Sequence, residues 1–216
     1  MAKKENEYIR WARLDDKDKS YSVSLMHFFH YRRNRIGKSW DREEMITWEL
    51  IRALDILPRK YFMDELLKFI KDKYYFFSKC IDTLLKEENN IQVVPFPSMG
   101  LKGNKRNRKG DIEISNNKGC LWIEAKTKKT KEEDFHKQLE DENNAMKNLY
   151  KNKAIALVAL IPKGQNCKDP YITWGDIGSI LSKCQKKLNT SDKELVKGYL
   201  KMAKELEGRV ERFKKV

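Results

Sequence analysis

Asp111, Glu124 and Lys126 are the residues of this 216-residue chain whose types and spacing bring most chemistry together. Asp111 opens an alternating segment, Asp111-Ile112-Glu113-Ile114. Glu124 and Lys126 lie in a second alternating segment, Cys120 to Thr127, across the turn Asn116-Asn117-Lys118-Gly119. Side chains alternate faces along a strand. Asp111 and Glu113 therefore share one face of the first strand, and Trp122, Glu124 and Lys126 share one face of the second. With the apolar sides of both strands on a common core, Asp111, Glu124 and Lys126 emerge together on the other face, beside the Ala125 backbone carbonyl. Hard oxygen ligands of this kind suit Mg²⁺, which retains several waters. Asp111, Glu124 and the Ala125 carbonyl are thus the candidate metal ligands, for Mg²⁺ or Mn²⁺, beside a scissile phosphate. A metal so held polarises a phosphoryl oxygen and acidifies a bound water. Lys126 then orients that water or stabilises the charge developing on phosphorus. Beside two carboxylates a lysine stays protonated, which favours the electrostatic role over that of a general base. The spacing acid-x-Lys occurs twice in the chain. Asp15-Asp16-Lys17 sits in a polar run without strand character, whereas Glu124-Ala125-Lys126 sits in an apolar strand.

The elements that must position these residues can be read from periodicity and punctuation. The first half reads helical. One helix is expected over Tyr21 to Arg35, with His27 and His30 among aromatics as core or boundary residues, and a second from Ser39–Asp41 to Leu57. Pro58 marks a boundary and suits the first turn of a third helix, whose apolar face holds Phe62, Leu66, Phe69 and Ile70. A fourth helix is expected over Tyr74 to Lys86. The pattern then changes: Ile91 to Phe96 is short and β-branched, and the hairpin follows. Glu132 to Tyr150 reads as a helix and Ala154 to Ile161 as a buried strand. Thr173-Trp174-Gly175-Asp176 resembles a capping box opening a helix to about Lys187. Ser191 to Glu194 is a second such box, opening a long amphipathic helix whose apolar stripe packs on its own domain or forms a homodimer seam. The expected fold is α/β, a small mixed sheet with helices packed on it. The expected divisions are an N-terminal helical region (1–70), a core (71–190) and a C-terminal amphipathic helix (191–216).

Gly110-Asp111 at a strand start, followed by Ile123-Glu124-Ala125-Lys126 on the next strand, resembles the signature of the PD-(D/E)XK nuclease superfamily. The group includes restriction enzymes, Holliday-junction resolvases and recombination nucleases. The resemblance implies a restriction-endonuclease-like αβββαβ core, which the order of elements from Tyr74 to Ile161 matches. It implies that Asp111 and Glu124 bind metal and that Lys126 assists attack. The Pro that precedes the Asp in the family motif is absent, replaced by Lys109-Gly110. Many members place a Gln or Tyr on the helix after the Glu-x-Lys strand, where Gln138 and Tyr150 lie here. Some supply an acid from an upstream helix. Glu44, in Glu44-x-x-Thr47, is the candidate, with Glu49 and Asp82 as competitors.

Charge points to the partner. Lys and Arg number 46 against 32 Asp and Glu, a formal +14. Such an excess draws in polyanions, and phosphate neutralisation supplies most non-specific nucleic-acid affinity. Lys102, Lys105, Arg106, Arg108 and Lys109 crowd the loop before Asp111, and Lys128 and Lys129 follow Lys126; both runs are placed to grip backbone phosphates. Arg32, Arg33 and Arg35 form a third basic group. No segment approaches the eighteen or so consecutive apolar residues of a membrane span. The polar N-terminus lacks a signal-peptide core, and the four dispersed cysteines form no CxxC. A cytoplasmic protein with reduced thiols is expected. No GxxxxGK[ST] loop is present, so nucleotide hydrolysis is not expected. The expected function is a metal-dependent endonuclease acting on DNA, in restriction, phage defence or DNA processing. The alternative is a catalytically inactive module of the same fold that binds nucleic acid or a partner.

Overall fold

The computed structural model describes residues 43–86, 91–95 and 111–188, together with Lys193, Val196, Lys197 and Leu200; of residues 43–46, 48, 49 and 95 it describes the backbone alone. The helix expected over Tyr21 to Arg35 and the basic loop bearing Lys102, Lys105, Arg106, Arg108 and Lys109 lie outside the described residues. The helix expected from Ser191 is described at those four residues, all helical, with Val196 buried.

Three helices precede the sheet. α1 (Glu43–Ile56) turns Leu50, Ile51, Ala53 and Leu54 inward and ends just before Pro58, which starts a short 3₁₀ turn at Arg59–Tyr61. α2 (Met63–Lys73) buries Met63, Leu66, Leu67 and Ile70, one face at helical spacing. Its acidic first turn and basic last turn both complement the helix dipole. A second 3₁₀ turn, Tyr75–Phe77, separates it from α3 (Ser78–Lys86), so the single helix expected from Tyr74 begins four residues later. Tyr74 braces that break: its hydroxyl donates to the Tyr171 carbonyl at 2.7 Å and accepts the Tyr171 N–H at 2.8 Å.

The sheet has five strands in the order β1 (Gln92–Pro95), β2 (Ile112–Ser115), β3 (Gly119–Ala125), β4 (Ala154–Ile161), β5 (Tyr171–Thr173). The first three are antiparallel neighbours, and β3, β4 and β5 run parallel. The hairpin register pairs Ile112 with Ile123 and Glu113 with Trp122. Parallel strands need a crossover, and α4 (Glu132–Leu149) supplies it between β3 and β4. α5 (Trp174–Gln185) starts directly from β5 on the expected capping box: Thr173 Oγ1 accepts the Asp176 N–H, and the Asp176 carboxylate accepts the Thr173 N–H. β5 itself was not expected. It is three residues long and squeezed between Pro170 and a helix cap, too short to show alternation.

Both faces of the sheet are covered. Ile112, Ile114, Leu121, Ile123, Val158 and Leu160 occupy one face, against which α3 packs. Gly119 makes that approach close enough that a Cβ there would run into the Thr83 hydroxyl and meet the Cys80 carbonyl at 3.1 Å. On the opposite face Cys120, Trp122, Leu157, Ala159 and Ile161 pack under Phe135, Leu139, Ala145 and Met146 of α4. The carboxylate-bearing face is thus a second buried face, covered by α4. Trp122 is 1% exposed and Glu124 2%. A strand with a parallel neighbour is normally buried on both sides, and all seven residues of β3 are. Among the described residues no helix is long and apolar enough to cross a membrane.

Candidate active site

The C-terminal end of β3 brings the predicted residues together. Asp111 lies one residue before β2, and continuing the hairpin register one step past Ile112↔Ile123 sets it across from Glu124. Its Oδ2 accepts the Ala125 N–H at 2.7 Å. On an extended strand a residue's N–H and C=O point to the same edge, so the Ala125 carbonyl faces the β2 edge of the strand. Asp111 and Glu124 thus occupy facing positions on adjacent strands.

Glu124 is tightly held. Its Oε1 accepts from Lys126 Nζ at 2.7 Å and also from Gln138 Nε2 of α4. Gln138 in turn donates to Glu142 Oε1 at 2.8 Å. The backbone of Lys126 is pinned on two sides: its N–H donates to the Leu160 carbonyl at 2.7 Å, and its carbonyl accepts the Trp174 indole N–H at 2.9 Å. Trp174 is fully buried at the start of α5. The side chain of Lys126 is 13% exposed, and its Nζ also lies 5.7 Å from the centre of the Phe135 ring. The site therefore combines a carboxylate network buried under α4 with Lys126, a partly exposed cation paired to it.

Of the remaining sequence candidates, Lys128 and Lys129 are exposed on the turn that leaves the site. That turn is tied down by Gln165, whose Oε1 accepts the Thr130 N–H at 3.0 Å while its Nε2 donates to the Thr130 carbonyl at 2.8 Å. Glu44 and Glu49 lie on α1, with side chains outside the described residues. Asp82 is engaged elsewhere, accepting Lys71 Nζ at 2.7 Å. Tyr150 is at the far end of α4 from Gln138, where its hydroxyl donates to Glu113 at 2.6 Å.

Glu113 organises a second buried polar cluster. Besides Tyr150, it accepts Trp122 Nε1 at 2.9 Å and Ser115 Oγ at 2.6 Å. Burial, and secondarily the donation to Glu113, pushes the Tyr150 phenol well above its usual range, so it remains a donor at any ordinary pH. Burial likewise raises the Cys80 thiol to about 11 and lifts Cys120 further, so neither is a thiolate nucleophile.

Sequence reasoning missed Glu142, although a signal was present. Phe135, Leu139 and Met146 form the apolar stripe of α4, and Glu142 occupies the position in that stripe where an apolar residue belongs. It is 0% exposed. Trp174 and Gln165 were missed because their contacts join segments far apart in sequence. Among the described residues no group of three or more His, Cys, Asp and Glu side chains is placed to hold a metal ion. No protein-family model, no curated protein and no solved structure matches the chain.

Proposed function

We propose that the chain is a metal-dependent nuclease of the restriction-endonuclease-like fold, hydrolysing phosphodiester bonds in DNA. One observation carries this reading: at the end of β3 Asp111 accepts the Ala125 N–H from the position across from Glu124, and Lys126 is ion-paired to Glu124. The donor chemistry fits Mg²⁺ or Mn²⁺. The candidate donors, Asp111, Glu124 and the Ala125 carbonyl, are all hard oxygens, and Mg²⁺ keeps several of its own waters, so a third acidic side chain is not required. Bound there, the ion supplies Lewis acidity toward a phosphoryl oxygen and an acidified water.

The chain's own residues do the rest. Asp111, fastened to the Ala125 N–H, and Glu124, held by Gln138, present pre-oriented carboxylates. Lys126, paired to Glu124 and partly exposed, is the cation that would stabilise charge developing on phosphorus. Lys128 and Lys129, on a turn fixed by Gln165, face solvent where flanking phosphates would pass.

The test is cleavage of supercoiled plasmid and of single-stranded DNA with Mg²⁺ or Mn²⁺, comparing wild type with Glu124→Ala and Lys126→Ala. The expected result is metal-dependent nicking or linearisation, reduced at least about a hundredfold by either substitution. The second reading is a catalytically inactive nucleic-acid- or partner-binding module. It draws on the burial of Glu124 and on the donors that already engage its Oε1. DNA binding that is equal in wild type and both variants, with no cleavage in either metal, would replace the first reading by the second.

A further inference from the structure

The sequence pattern of α4 calls for an apolar side chain at position 142, and the fold puts a carboxylate there. Phe135, Leu139, Ala145 and Met146 around it all join the core that covers Trp122 and Cys120. Glu142 sits among this set, fully buried. Taking a carboxylate out of water is costly unless hydrogen bonds compensate, and a well-packed apolar residue of similar volume is often as stable or more so. Natural sequences break such local rules chiefly where a function requires it.

What Glu142 does is visible in its hydrogen bond. The Gln138 amide has two N–H donors on one nitrogen and a carbonyl acceptor at the other end. In the structure that nitrogen serves both glutamates, Glu124 Oε1 and Glu142 Oε1. Exchanging the ends of the amide would set its carbonyl oxygen against both carboxylates, so each acceptor adds to the preference for the orientation observed. With acceptors on both sides of the nitrogen, the amide has one favourable orientation. Glu124 Oε1 then receives a donor from α4 in addition to Lys126.

We propose that Glu142 is a positioning residue: through the Gln138 amide it fixes the orientation of the Glu124 carboxylate. This rests on the assignment of Glu124 as a metal ligand only for its effect on metal binding; the orientation of the amide is independent of it. Groups that orient a metal ligand typically change affinity 10–100-fold when removed.

The experiment pairs two variants. Glu142→Met keeps volume and removes the acceptor. Glu142→Gln keeps an oxygen that can accept from Gln138. Two signals are read: the side-chain ¹⁵NH₂ resonances of Gln138, assigned by loss in Gln138→Ala, and the affinity for Mn²⁺ alone, by calorimetry. The Gln138 pair should shift and lose its protection from solvent exchange in Glu142→Met and keep both in Glu142→Gln. Mn²⁺ affinity should fall about tenfold or more in Glu142→Met and stay within about threefold of wild type in Glu142→Gln. Circular dichroism and Tm should show that both variants are folded. Should Glu142→Met be unfolded, the Gln138 resonances of Glu142→Asp, whose shorter carboxylate draws back from the amide, decide in its place. A Gln138 pair indifferent to the loss of Glu142 overturns the proposal whatever the metal does. So does a wild-type protein that binds Mn²⁺ measurably but no more tightly than Glu142→Met, or a Glu142→Gln variant as impaired as Glu142→Met. A wild type that binds no Mn²⁺, with the Gln138 pair still responding to Glu142→Met, upholds the positioning of Glu124 and removes the metal-dependent reading of the site.

Discussion

At the scale of single residues the protein carries two buried carboxylate networks on one face of the sheet, with different characters. Glu113 accepts from Ser115, Trp122 and Tyr150, three neutral donors that also hold β2, β3 and the end of α4 together. Glu124 accepts from a lysine and an amide at the end of its strand, next to Asp111. The first arrangement is architectural, because no cation of the site touches it and its donors are locked in the core. Glu113→Ala leaves an indole N–H and two hydroxyls to seek other acceptors in a buried place. It should destabilise the fold by about 3 kcal/mol, the cost of unsatisfied buried donors plus a small cavity. Urea denaturation would measure this, and a loss below about 1 kcal/mol would show that water replaces the carboxylate. Substitutions at Glu124, by contrast, should change activity far more than stability.

At the scale of elements, the site is an agreement among β3, α4 and the segments that follow β4. The start of α4 is coupled to the β4–β5 connection by a charged contact: His136 Nδ1 lies 2.7 Å from Asp169 Oδ2. The hydrogen bond to Asp169 and then its charge raise the His136 imidazole above its ordinary 6.5. A raised folded-state value means the protonated pair stabilises the native state fully below about pH 6.5, the unfolded value. The contribution disappears as pH rises through the folded-state value. The Tm difference between wild type and Asp169→Asn should therefore be greatest on the acid side and shrink as pH rises through the folded-state value of His136. The effect should be small, since the imidazole is solvent-exposed. Thermal melts across this range check it, and a difference growing with pH would contradict the pairing. Gln165, on the same connection, ties the Lys128–Lys129 turn to the fold and gives the exposed lysines a fixed base.

At the scale of the whole molecule, the described helices and strands belong to one compact unit. The chain carries an excess of fourteen positive charges. Under the nuclease reading, that charge is expressed as salt-dependent binding. Each phosphate neutralised contributes about −0.9 to the slope of log K against log salt on duplex DNA. Removing Lys128 and Lys129 together should reduce the slope by about 2 and weaken binding nearly uniformly across sequences. Fluorescence anisotropy at several salt concentrations, with chelator present to prevent cleavage, measures both. An unchanged slope would place the phosphate contacts elsewhere on the basic surface.

Local pattern determined a large part of this protein. The hairpin at Asn116–Gly119, the strand Ala154–Ile161, the helix from Glu132 and the capping box at Thr173 follow from alternation, periodicity and turn chemistry. The common face of Asp111, Glu124 and Lys126 follows from the two-residue period of a strand, which needs no partner to be read. Tertiary structure alone decided what lies above that face. Whether a strand has one buried side or two depends on which elements pack on it, and the crossover through α4 covered the carboxylates that a lone hairpin would leave exposed. It also decided that β5 pairs with β4, that Trp174 holds the Lys126 carbonyl, and that Gln138 stands between Glu124 and Glu142. Each of these joins segments remote in sequence. The cost of burying a polar group is settled only by the donors and acceptors that the fold brings to it.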